Sequence, residues 1–429
     1  MRVIVVGGGA VGLCVAEALA SRGAEVTVFE SAGCGAGASA GNAGWITPSL
    51  AIPIPGPGVI GDSLRWLVNP SGPLWIRPTA SAEMLAWVAR FVVSCRRSVY
   101  QQGLAALQQA AALAGPAFER LAERGVEFEL HDAPLLYPAF DQAELEHLTR
   151  VAGELVAVGA APLLERISTA EIRLLEPALS ERTIGGLIAR VDRRVRPESL
   201  CDGVQRALVA GGAEILERTP VEALGRDGSG WIVASGSTRR RGDAIVLAGG
   251  VASAGLLGRL GIRLPIVAAK GYSRTYRSEE TGPRHALYLE TPKVAVSVFD
   301  GAVRVSGTLE LGARGLGLSD RRLRAITAAA QQALPGWRMP SSPRDWAGMR
   351  SLSPDGLPFI GSVTGQNGLH VAAAHATLGI TLAPLTGELL ADLVLEGRGS
   401  GALTPFDPAR AIRGRGYFKP VRAMRGGPR

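Results

Sequence analysis

The pattern of hydrophobic positions divides this chain into two kinds of segment. Short apolar runs, typical of strands buried on both faces of a parallel sheet, occupy residues 2–6, 243–247 and 369–373. Three runs between residues 285 and 309 instead alternate apolar and polar positions, and Asp300-Gly301 between two of them is a hairpin-turn signal. We therefore expect a doubly wound α/β unit with an inserted antiparallel sheet.

Apolar residues at helical spacing predict further elements. The predicted helices cover residues 10–22, 81–97, 101–124 with a break at Gly115-Pro116, 142–159, 197–210 and 380–395. Further predicted strands cover residues 26–30, 126–130, 135–137, 185–191 and 213–216. Two interpretations of the amphipathic helix at 81–97 remain open: it faces the core, or it is an interfacial helix for a membrane or a partner. Residues 46–78, rich in proline, predict an irregular segment with short helices.

The first thirty residues form a strand, a glycine-rich turn, a helix and a second strand. Gly7 allows the tight turn, Gly9 lets the backbone approach a pyrophosphate, and Gly12 lets the helix pack closely on the strand. The helix N-terminus favours a bound phosphate, and Glu30 is placed to accept hydrogen bonds from an adenosine ribose. The unit predicts dinucleotide binding without a 2′-phosphate. The alternative is a glycine turn of structural importance only.

Two further segments of small residues are expected at the same edge of the sheet. Residues 31–44 follow the second strand directly, and residues 248–250 follow the strand at 243–247. Both segments therefore lie at the carboxyl ends of strands, where open α/β sheets bind ligands. We interpret residues 31–44 as a second backbone surface around the ligand, with a flexible connector as the alternative.

The net charge of +8 is concentrated at one end of the chain. Seven basic residues and no acid follow Ala409, and without them the net charge is +1. The body of the protein therefore has no nucleic-acid footprint. We interpret residues 409–429 as a solvated or loosely docked basic tail, with attraction to an anionic membrane surface as the alternative.

Cysteine usage and hydropathy indicate a cytoplasmic location, with peripheral contact at the inner face of the membrane as the alternative. The four cysteines are scattered without a C-x-x-C pair, which is typical of reduced thiols rather than disulfides or a metal site. No uncharged apolar run reaches the roughly 18 residues of a transmembrane helix. The chain begins with a strand pattern, so no signal peptide is expected.

Five motifs in a fixed order carry a family resemblance over nearly the whole chain. They are the N-terminal fingerprint, Gly41-Asn42-Ala43-Gly44, Lys270-Gly271-Tyr272-Ser273, the block Gly348-Met349-Arg350 through Pro354-Asp355-Gly356, and His375-x-Thr377-Leu378-Gly379-x-Thr381. The chain resembles the glycine-oxidase and D-amino-acid-oxidase superfamily of FAD enzymes, and within it most closely the bacterial D-amino-acid dehydrogenases.

The resemblance implies FAD as the cofactor and a two-domain α/β fold, with a Rossmann-like FAD-binding domain and an inserted antiparallel-sheet (α+β) substrate domain. It places residues 1–60, 192–255 and 346–408 in the FAD-binding domain. Residues 61–191 and 256–345 then form the substrate domain.

The resemblance also implies a reaction: oxidation of a D-amino acid, or a related amine acid, to the imino acid and hence the 2-oxo acid. The hydride passes to flavin N5, and the electrons pass to a quinone or another acceptor. Arg350 matches the position that anchors the substrate carboxylate, and Tyr272 and Tyr276 are candidates to close the pocket or to bond the carboxylate. His375 is expected beside the flavin, either in a catalytic role or holding its loop. The alternatives are an oxidase of glycine, sarcosine or a cyclic imino acid that uses O₂, and a catalytic subunit of a membrane-associated electron-transfer complex.

The residues implied to contact FAD come from all five motifs and the strand ends between them: Gly7, Gly9, Ala10, Val11, Gly12, Glu30, Ser31, Ser39, Gly41, Asn42, Ala43, Gly44, Val221, Ala248, Gly249, Gly250, Gly348, Arg350, Thr377, Leu378, Gly379, Ile380 and Thr381. The N–H groups of Leu378 to Ile380, at the start of a predicted helix, would stabilise negative charge on the reduced flavin. Three departures from the family pattern surround this end of the site. Ala376 stands in place of glycine, Ser351 in place of proline, and Pro384 where small residues are usual, which leaves the substrate less defined than the fold.

Overall fold

The computed structural model describes residues 1–59, 61, 72, 74–76, 81–277, 282–313 and 315–412. Its strands are β1 Arg2–Val6, β2 Glu25–Phe29, β3 Trp45–Ile46, β4 Leu74–Ile76, β5 Leu130–His131, β6 Leu135–Ala139, β7 Glu165–Ile167, β8 Gly185–Ala189, β9 Arg193–Val195, β10 Glu214–Leu216, β11 Ala223–Asp227, β12 Gly230–Ser235, β13 Thr238–Gly242, β14 Ala244–Leu247, β15 Val267–Arg277, β16 Ala286–Leu289, β17 Val294–Phe299, β18 Ala302–Leu311, β19 Arg344–Leu352, β20 Phe359–Ser362 and β21 Leu369–Ala373. Its helices are α1 Ala10–Ala20, α2 Ala82–Ser94, α3 Arg97–Ala112, α4 Ala114–Glu123, α5 Gln142–Ala157, α6 Thr169–Leu175, α7 Pro197–Ala210, α8 Ala252–Arg259, α9 Asp320–Ala333, α10 Ala383–Glu396 and α11 Ala409–Ile412.

The first of two large sheets is six-stranded, in the order β10-β2-β1-β14-β21-β20. Its strands are parallel except β20, which runs antiparallel to β21. One face is covered by a core that includes α1 and α10, which cross so closely that a Cβ atom at Gly387 would lie 2.4 Å from the carbonyl oxygen of Cys14. The other face packs against α8 and the small sheet β11-β12-β13. Covering both faces explains why β1, β14 and β21 are uninterrupted apolar runs, and it confirms the predicted doubly wound unit.

The second large sheet has nine strands, with eight in the order β19-β15-β18-β17-β16-β6-β8-β7 and β4 paired to β18. The predicted hairpin connects β17 to β18, with Gly301 at φ +66°. Helix α9 covers one face, where Leu323 and Ile326 are buried against the sheet. The opposite face carries the candidate site described below.

Two predicted domain boundaries need correction. Strand β19, placed with the FAD-binding domain, pairs with β15 and belongs to the nine-stranded sheet. Helices α3 and α4, placed with the substrate domain, pack on the core of the six-stranded sheet through buried Leu107 and Phe118. Arg120 on α4 adds a two-pronged ion pair with Glu388 on α10, at 2.9 and 2.6 Å. Periodicity identified these helices but carried no information on which sheet they would cover.

Most element predictions are confirmed, and their errors lie at the ends. The helices predicted at 142–159 and 197–210 are α5 and α7, and Pro197 opens α7 as expected. The helix break falls at Leu113, just before Gly115-Pro116, and of the strand predicted at 126–130 only residue 130 is extended. Part of the irregular segment at 46–78 lies outside the described residues.

The start of the basic tail is docked, which corrects its predicted boundary. Arg410 on α11 donates hydrogen bonds to both carboxylate oxygens of Asp355, at 2.8 and 3.3 Å, and lies 4.2 Å from the ring centre of Phe359. The folded body therefore extends to Ile412, and residues 413–429 lie outside the described residues. No described helix has both the length and the apolar character needed to cross a membrane.

Candidate active site

The glycine fingerprint forms a close-packed turn between β1 and α1. Gly7 has φ +115°, and a Cβ atom there would lie 2.6 Å from the carbonyl carbon of Ala248. A Cβ atom at Gly12 would lie 1.9 Å from the carbonyl oxygen of Gly7. Helix α1 has no side-chain cap and no acid in its first turn. Its N-terminus therefore suits an anionic group, as the fingerprint predicts.

Glu30 lies beside this turn at the carboxyl end of β2. Its Oε2 accepts a hydrogen bond from the N–H of Gly8 at 2.7 Å, and its Oε1 accepts one from Ser31 Oγ at 3.0 Å. The Glu30 carbonyl accepts from Thr219 N–H at 2.8 Å, which brings the segment that leads to Val221 to the same edge. A carboxylate next to a phosphate-binding turn fits the adenosine half of FAD.

The loop at 31–44 lies against the fingerprint, as the second-surface interpretation requires. Gly35 N–H donates to Gly8 O at 2.8 Å, and Ala10 N–H donates to Ser39 Oγ at 3.0 Å. Gly44 N–H donates to the side-chain oxygen of Asn42 at 2.9 Å, which fixes the turn at the end of the loop.

The end of this loop is tied to the nine-stranded sheet by side chains of β17 and β18. Arg304, only 1% exposed, donates from Nη1 to the carbonyl oxygen of Asn42 at 2.7 Å and from Nη2 to Glu198. Ser297 Oγ donates to the carbonyl oxygen of Ala43 at 2.7 Å. The loop at 31–44 and the nine-stranded sheet are therefore joined by several buried polar contacts.

Trp346 fills the space between this loop and β19. A Cβ atom would lie 2.0 Å from its indole ring if placed at Gly41, and 2.1 Å if placed at Gly348. Both positions therefore require glycine for the indole to keep its place. Gly348, predicted to contact FAD, has the indole of Trp346 against it.

Arg350 lies on the same face of β19 as Trp346 and Gly348, because side chains alternate along a strand. Its Nε lies 3.0 Å from the position that a Cβ atom of Gly271 would occupy. Among the described residues no carboxylate pairs with this guanidinium, and Tyr288 is its electrostatic neighbour. Burial lowers the pKa of Arg350 from its ordinary value. The site thus offers an unpaired two-pronged donor, the arrangement that binds a ligand carboxylate.

Tyr272 and Tyr276 lie on the opposite face of the sheet, which corrects their predicted role. The Tyr272 hydroxyl donates to Glu310 at 2.8 Å, and the ring is fully buried in the core beneath α9. The Tyr276 hydroxyl lies 3.2 Å from Thr327 Oγ1 on α9. Neither side chain reaches the face that carries Arg350.

Two further aromatic residues, Trp45 and Tyr288, lie on the side of Arg350 together with Trp346, and neither was among the predicted site residues. Strand pairing places Tyr288 opposite Ala295 on the face shared with Trp346. The Tyr288 ring centre lies 5.9 Å from that of Trp45, and the Trp45 indole N–H is buried without a hydrogen-bond partner in the described chain. The alternation around residues 285–289 was the available signal for Tyr288, but it did not show which face would hold the site.

A buried polar cluster lies behind these rings. Asp192, 1% exposed, accepts hydrogen bonds from the N–H and the hydroxyl of Ser49. The Ser49 hydroxyl lies 2.6 Å from that of Tyr137, whose ring centre is 5.9 Å from that of Tyr288. Burial raises the pKa of Asp192 to about 7.

His375 is held in the interior by the last helix. Its Nε2 lies 3.1 Å from Thr386 Oγ1 on α10, and its carbonyl oxygen accepts from Leu378 N–H at 2.8 Å. Burial lowers the pKa of His375 to about 4, so the imidazole is neutral at physiological pH. Of the two predicted roles, this geometry favours holding the loop.

The segment after His375 is a turn, and α10 begins at Ala383 rather than at residue 380. The N–H of Leu378 is therefore already used, whereas those of Gly379 and Ile380 have no acceptor among the described residues. Thr381 Oγ1 donates to the carbonyl oxygen of Trp45 at 2.9 Å, and Thr377 is exposed. Only part of the predicted group of donors is thus available to a ligand.

The three departures from the family pattern each have a local structural account. Ala376 has φ +51°, a left-handed conformation in which glycine is less strained. Ser351 Oγ accepts from Ala374 N–H at 3.1 Å, a hydrogen bond that proline could not make. Pro384 is in the first turn of α10, where a missing N–H costs no helical hydrogen bond.

The fold and the site together define a flavoprotein oxidoreductase with a dinucleotide-binding domain and a second, mainly antiparallel sheet. The family model for DAO, the FAD dependent oxidoreductases, matches residues 2–393. The chain belongs to this family, and it is an FAD-dependent enzyme.

Individual relatives and solved structures are also similar to this chain. The chain is 30% identical over 409 residues to D-amino acid dehydrogenase of Vibrio vulnificus (strain YJ016), covering 92% of this chain and 96% of the relative. Glycine oxidase from Geobacillus kaustophilus has a similar structure, with a TM-score of 0.75 and 24% identity over 97% of this chain and 100% of that one. L-proline dehydrogenase from P. horikoshii has a TM-score of 0.70 and 20% identity over 96% and 98% of the two chains. The DAO family and the dehydrogenase relative confirm the predicted recognition.

Proposed function

We propose that this chain oxidises a D-amino acid, or a related amine acid, to the imino acid, and passes the electrons to a quinone or another acceptor rather than to O₂. The observation that carries the proposal is Arg350, a guanidinium without a carboxylate partner among the described residues. The likeness to a D-amino acid dehydrogenase supports the choice of enantiomer and of acceptor.

The side chains of the site mainly bind and orient. Arg350 holds the substrate carboxylate through two parallel hydrogen bonds, and Gly271 leaves room for the guanidinium. Trp45 and Tyr288 offer an apolar aromatic surface, which favours a substrate with an apolar side chain. Fixing the substrate in this way supplies the orientation on which removal of the Cα hydride depends.

Bound FAD supplies the hydride acceptor, and the chain supplies its surroundings. The glycine turn and Glu30 would hold the adenosine diphosphate part, while the N–H groups of Gly379 and Ile380 would be donors for the opposite end. His375, neutral and bonded to Thr386, keeps the turn that carries these donors in place.

Anaerobic bleaching of the flavin tests the substrate class. A panel should contain D- and L-forms of apolar, polar and charged amino acids, together with glycine, sarcosine and proline. We expect the fastest bleaching with D-amino acids that have apolar side chains. Bleaching by L-amino acids alone, or by none of the panel, would contradict the proposal.

Turnover with a soluble dye, measured with and without oxygen, tests the acceptor. A dehydrogenase reduces the dye at the same rate in both conditions and forms little hydrogen peroxide. Rapid peroxide formation without dye would establish the oxidase alternative.

A further inference from the structure

Helix α2 presents an unusual outer surface. Leu85 is 64% exposed, Val92 44% and Val93 47%. Every other helix or strand in the described part of the chain carries at most one large exposed hydrophobic residue. Single exposed apolar residues are ordinary, whereas a group on one element marks an interaction surface.

These residues form one continuous stripe along the helix. Positions 85, 89, 92 and 93 follow the spacing of a single helical face, and all four are exposed. The stripe contains only aliphatic side chains, and Arg96 follows two residues after the end of the helix. No exposed aromatic or hydrogen-bonding side chain interrupts it, although such residues dominate the centres of protein–protein interfaces.

Three arginines border the stripe. Arg90, Arg96 and Arg97 are exposed, and none of them has an ion-pair partner among the described residues. The acid on the helix is Glu83, in the first turn, where it complements the helix dipole. An aliphatic face bordered by unpaired cations is the pattern of a helix that lies on an anionic lipid surface.

The inner face of α2 covers the substrate end of the molecule. Trp87 and Phe91 stack with ring centres 5.4 Å apart, and they pack in one cluster with Ala269, Leu352 and Ala376. Leu352 follows Arg350 by two residues, and Ala376 follows His375 directly. The outer stripe therefore lies on the opposite side of the helix from the region around the site.

We propose that α2 binds the surface of an anionic lipid bilayer, with its aliphatic stripe among the acyl chains and its arginines at the phosphates. A helix of 13 residues is about 20 Å long, enough to lie in the interface but too short to span it. This orientation turns the substrate end towards the bilayer, where a lipid-soluble acceptor is concentrated. Only this last consequence rests on the proposed function.

Co-sedimentation of the full-length holoenzyme with vesicles tests the proposal. The vesicles should contain either zwitterionic lipid alone or zwitterionic lipid with anionic lipid, at near-physiological salt. The test variant is Leu85→Ser/Val92→Ser/Val93→Ser. Its matched control is Leu113→Ser/Val156→Ser/Val209→Ser, which changes three exposed apolar residues outside α2.

We expect the wild-type enzyme to sediment with anionic vesicles and only weakly with zwitterionic ones. The α2 variant should lose at least about tenfold in partition coefficient, because its apolar area no longer leaves water, while the control variant binds as wild type. Both variants should retain turnover with a soluble dye, so a failure of membrane binding is distinguishable from a failure of the proposed reaction.

Three results would overturn the proposal. Equal binding of the α2 variant and the wild type would assign the attraction to the basic tail. Equal losses in the α2 and control variants would indicate a general effect of surface hydrophobicity. No binding of the wild type to lipid alone would mean that a protein is the occupant of the stripe.

Discussion

Replacing Arg350 with methionine is the most direct test of the substrate anchor. Methionine has a similar length and flexibility, and it fits the space against Gly271 where the guanidinium lies. Because no carboxylate among the described residues pairs with Arg350, the change leaves no buried acid without its partner. We therefore expect FAD content and thermal stability close to those of the wild type.

The expected loss is in catalysis. A charge-assisted hydrogen bond to a carboxylate contributes roughly 1.5–3 kcal/mol, and loss of the two-pronged geometry adds an orientation cost at the reacting carbon. Since each ~1.4 kcal/mol corresponds to a factor of ten, kcat/KM should fall at least about a hundredfold. Arg350→Lys should recover little of this loss, because an ammonium group supplies the charge without the planar fork.

The assay is kcat/KM with a soluble dye and the best substrate, with flavin occupancy measured alongside. Arg344→Met is a matched control, because Arg344 lies on the same strand and face but its side chain is 70% exposed. The control should keep nearly full activity. If Arg350→Met retains more than about a third of the wild-type kcat/KM, a loss of less than ~0.7 kcal/mol, then Arg350 does not anchor the substrate.

Three further predictions concern stability. Ending the chain at Ala409 removes Arg410 and its ion pair with Asp355, and should lower the free energy of unfolding by about 1–3 kcal/mol. Ending the chain at Ile412 keeps this ion pair and should leave the unfolding midpoint in urea unchanged. Ala376→Gly should raise the unfolding midpoint, by up to about 1 kcal/mol in free energy, because it relieves the left-handed strain; a fall in the midpoint would contradict this. The pKa of Asp192, about 7 when folded, lies above its ordinary value, so the folded state keeps a proton that the unfolded chain has lost. The free energy of unfolding should therefore fall as pH rises from about 4 to 7, and Asp192→Asn should flatten that dependence in urea titrations at several pH values.

The sequence was sufficient to predict a local structure and its ligand class where both depend on the same few residues. The turn from Gly7 to Gly12 needs close backbone contacts that only glycine allows, so its spacing identifies both the fold of the unit and its ligand class. Helix α7 was equally well defined, because Pro197 marks its start and apolar spacing marks its face.

The sequence was insufficient to predict the position of a side chain wherever that position depends on packing between distant segments. Tyr272 lies within a matching motif, but its pairing with Ala347 on β19 and the position of α9 decide which face of the sheet it occupies. Trp45 and Tyr288 are 243 positions apart along the chain. They meet only because β3 folds back over the nine-stranded sheet. Arg410 was placed in a solvated or loosely docked tail, because nothing in the sequence identifies Asp355, 55 positions earlier, as its partner.

The strand order of the six-stranded sheet has a consequence for the biosynthesis of this enzyme. Strand β1 pairs with β14, and β14 pairs with β21, so residue 5 is linked through residue 246 to residue 370. A ribosome must therefore release almost the whole chain before the sheet beneath the fingerprint is complete. The N-terminal βαβ unit emerges first, but the edge of β1 stays unpaired until β14 has been synthesised. An unpaired apolar strand edge is prone to aggregation. Flavin loading is then a late event, and a chain that stops short of β21 should be a substrate for chaperones and proteases rather than a partly active flavoprotein.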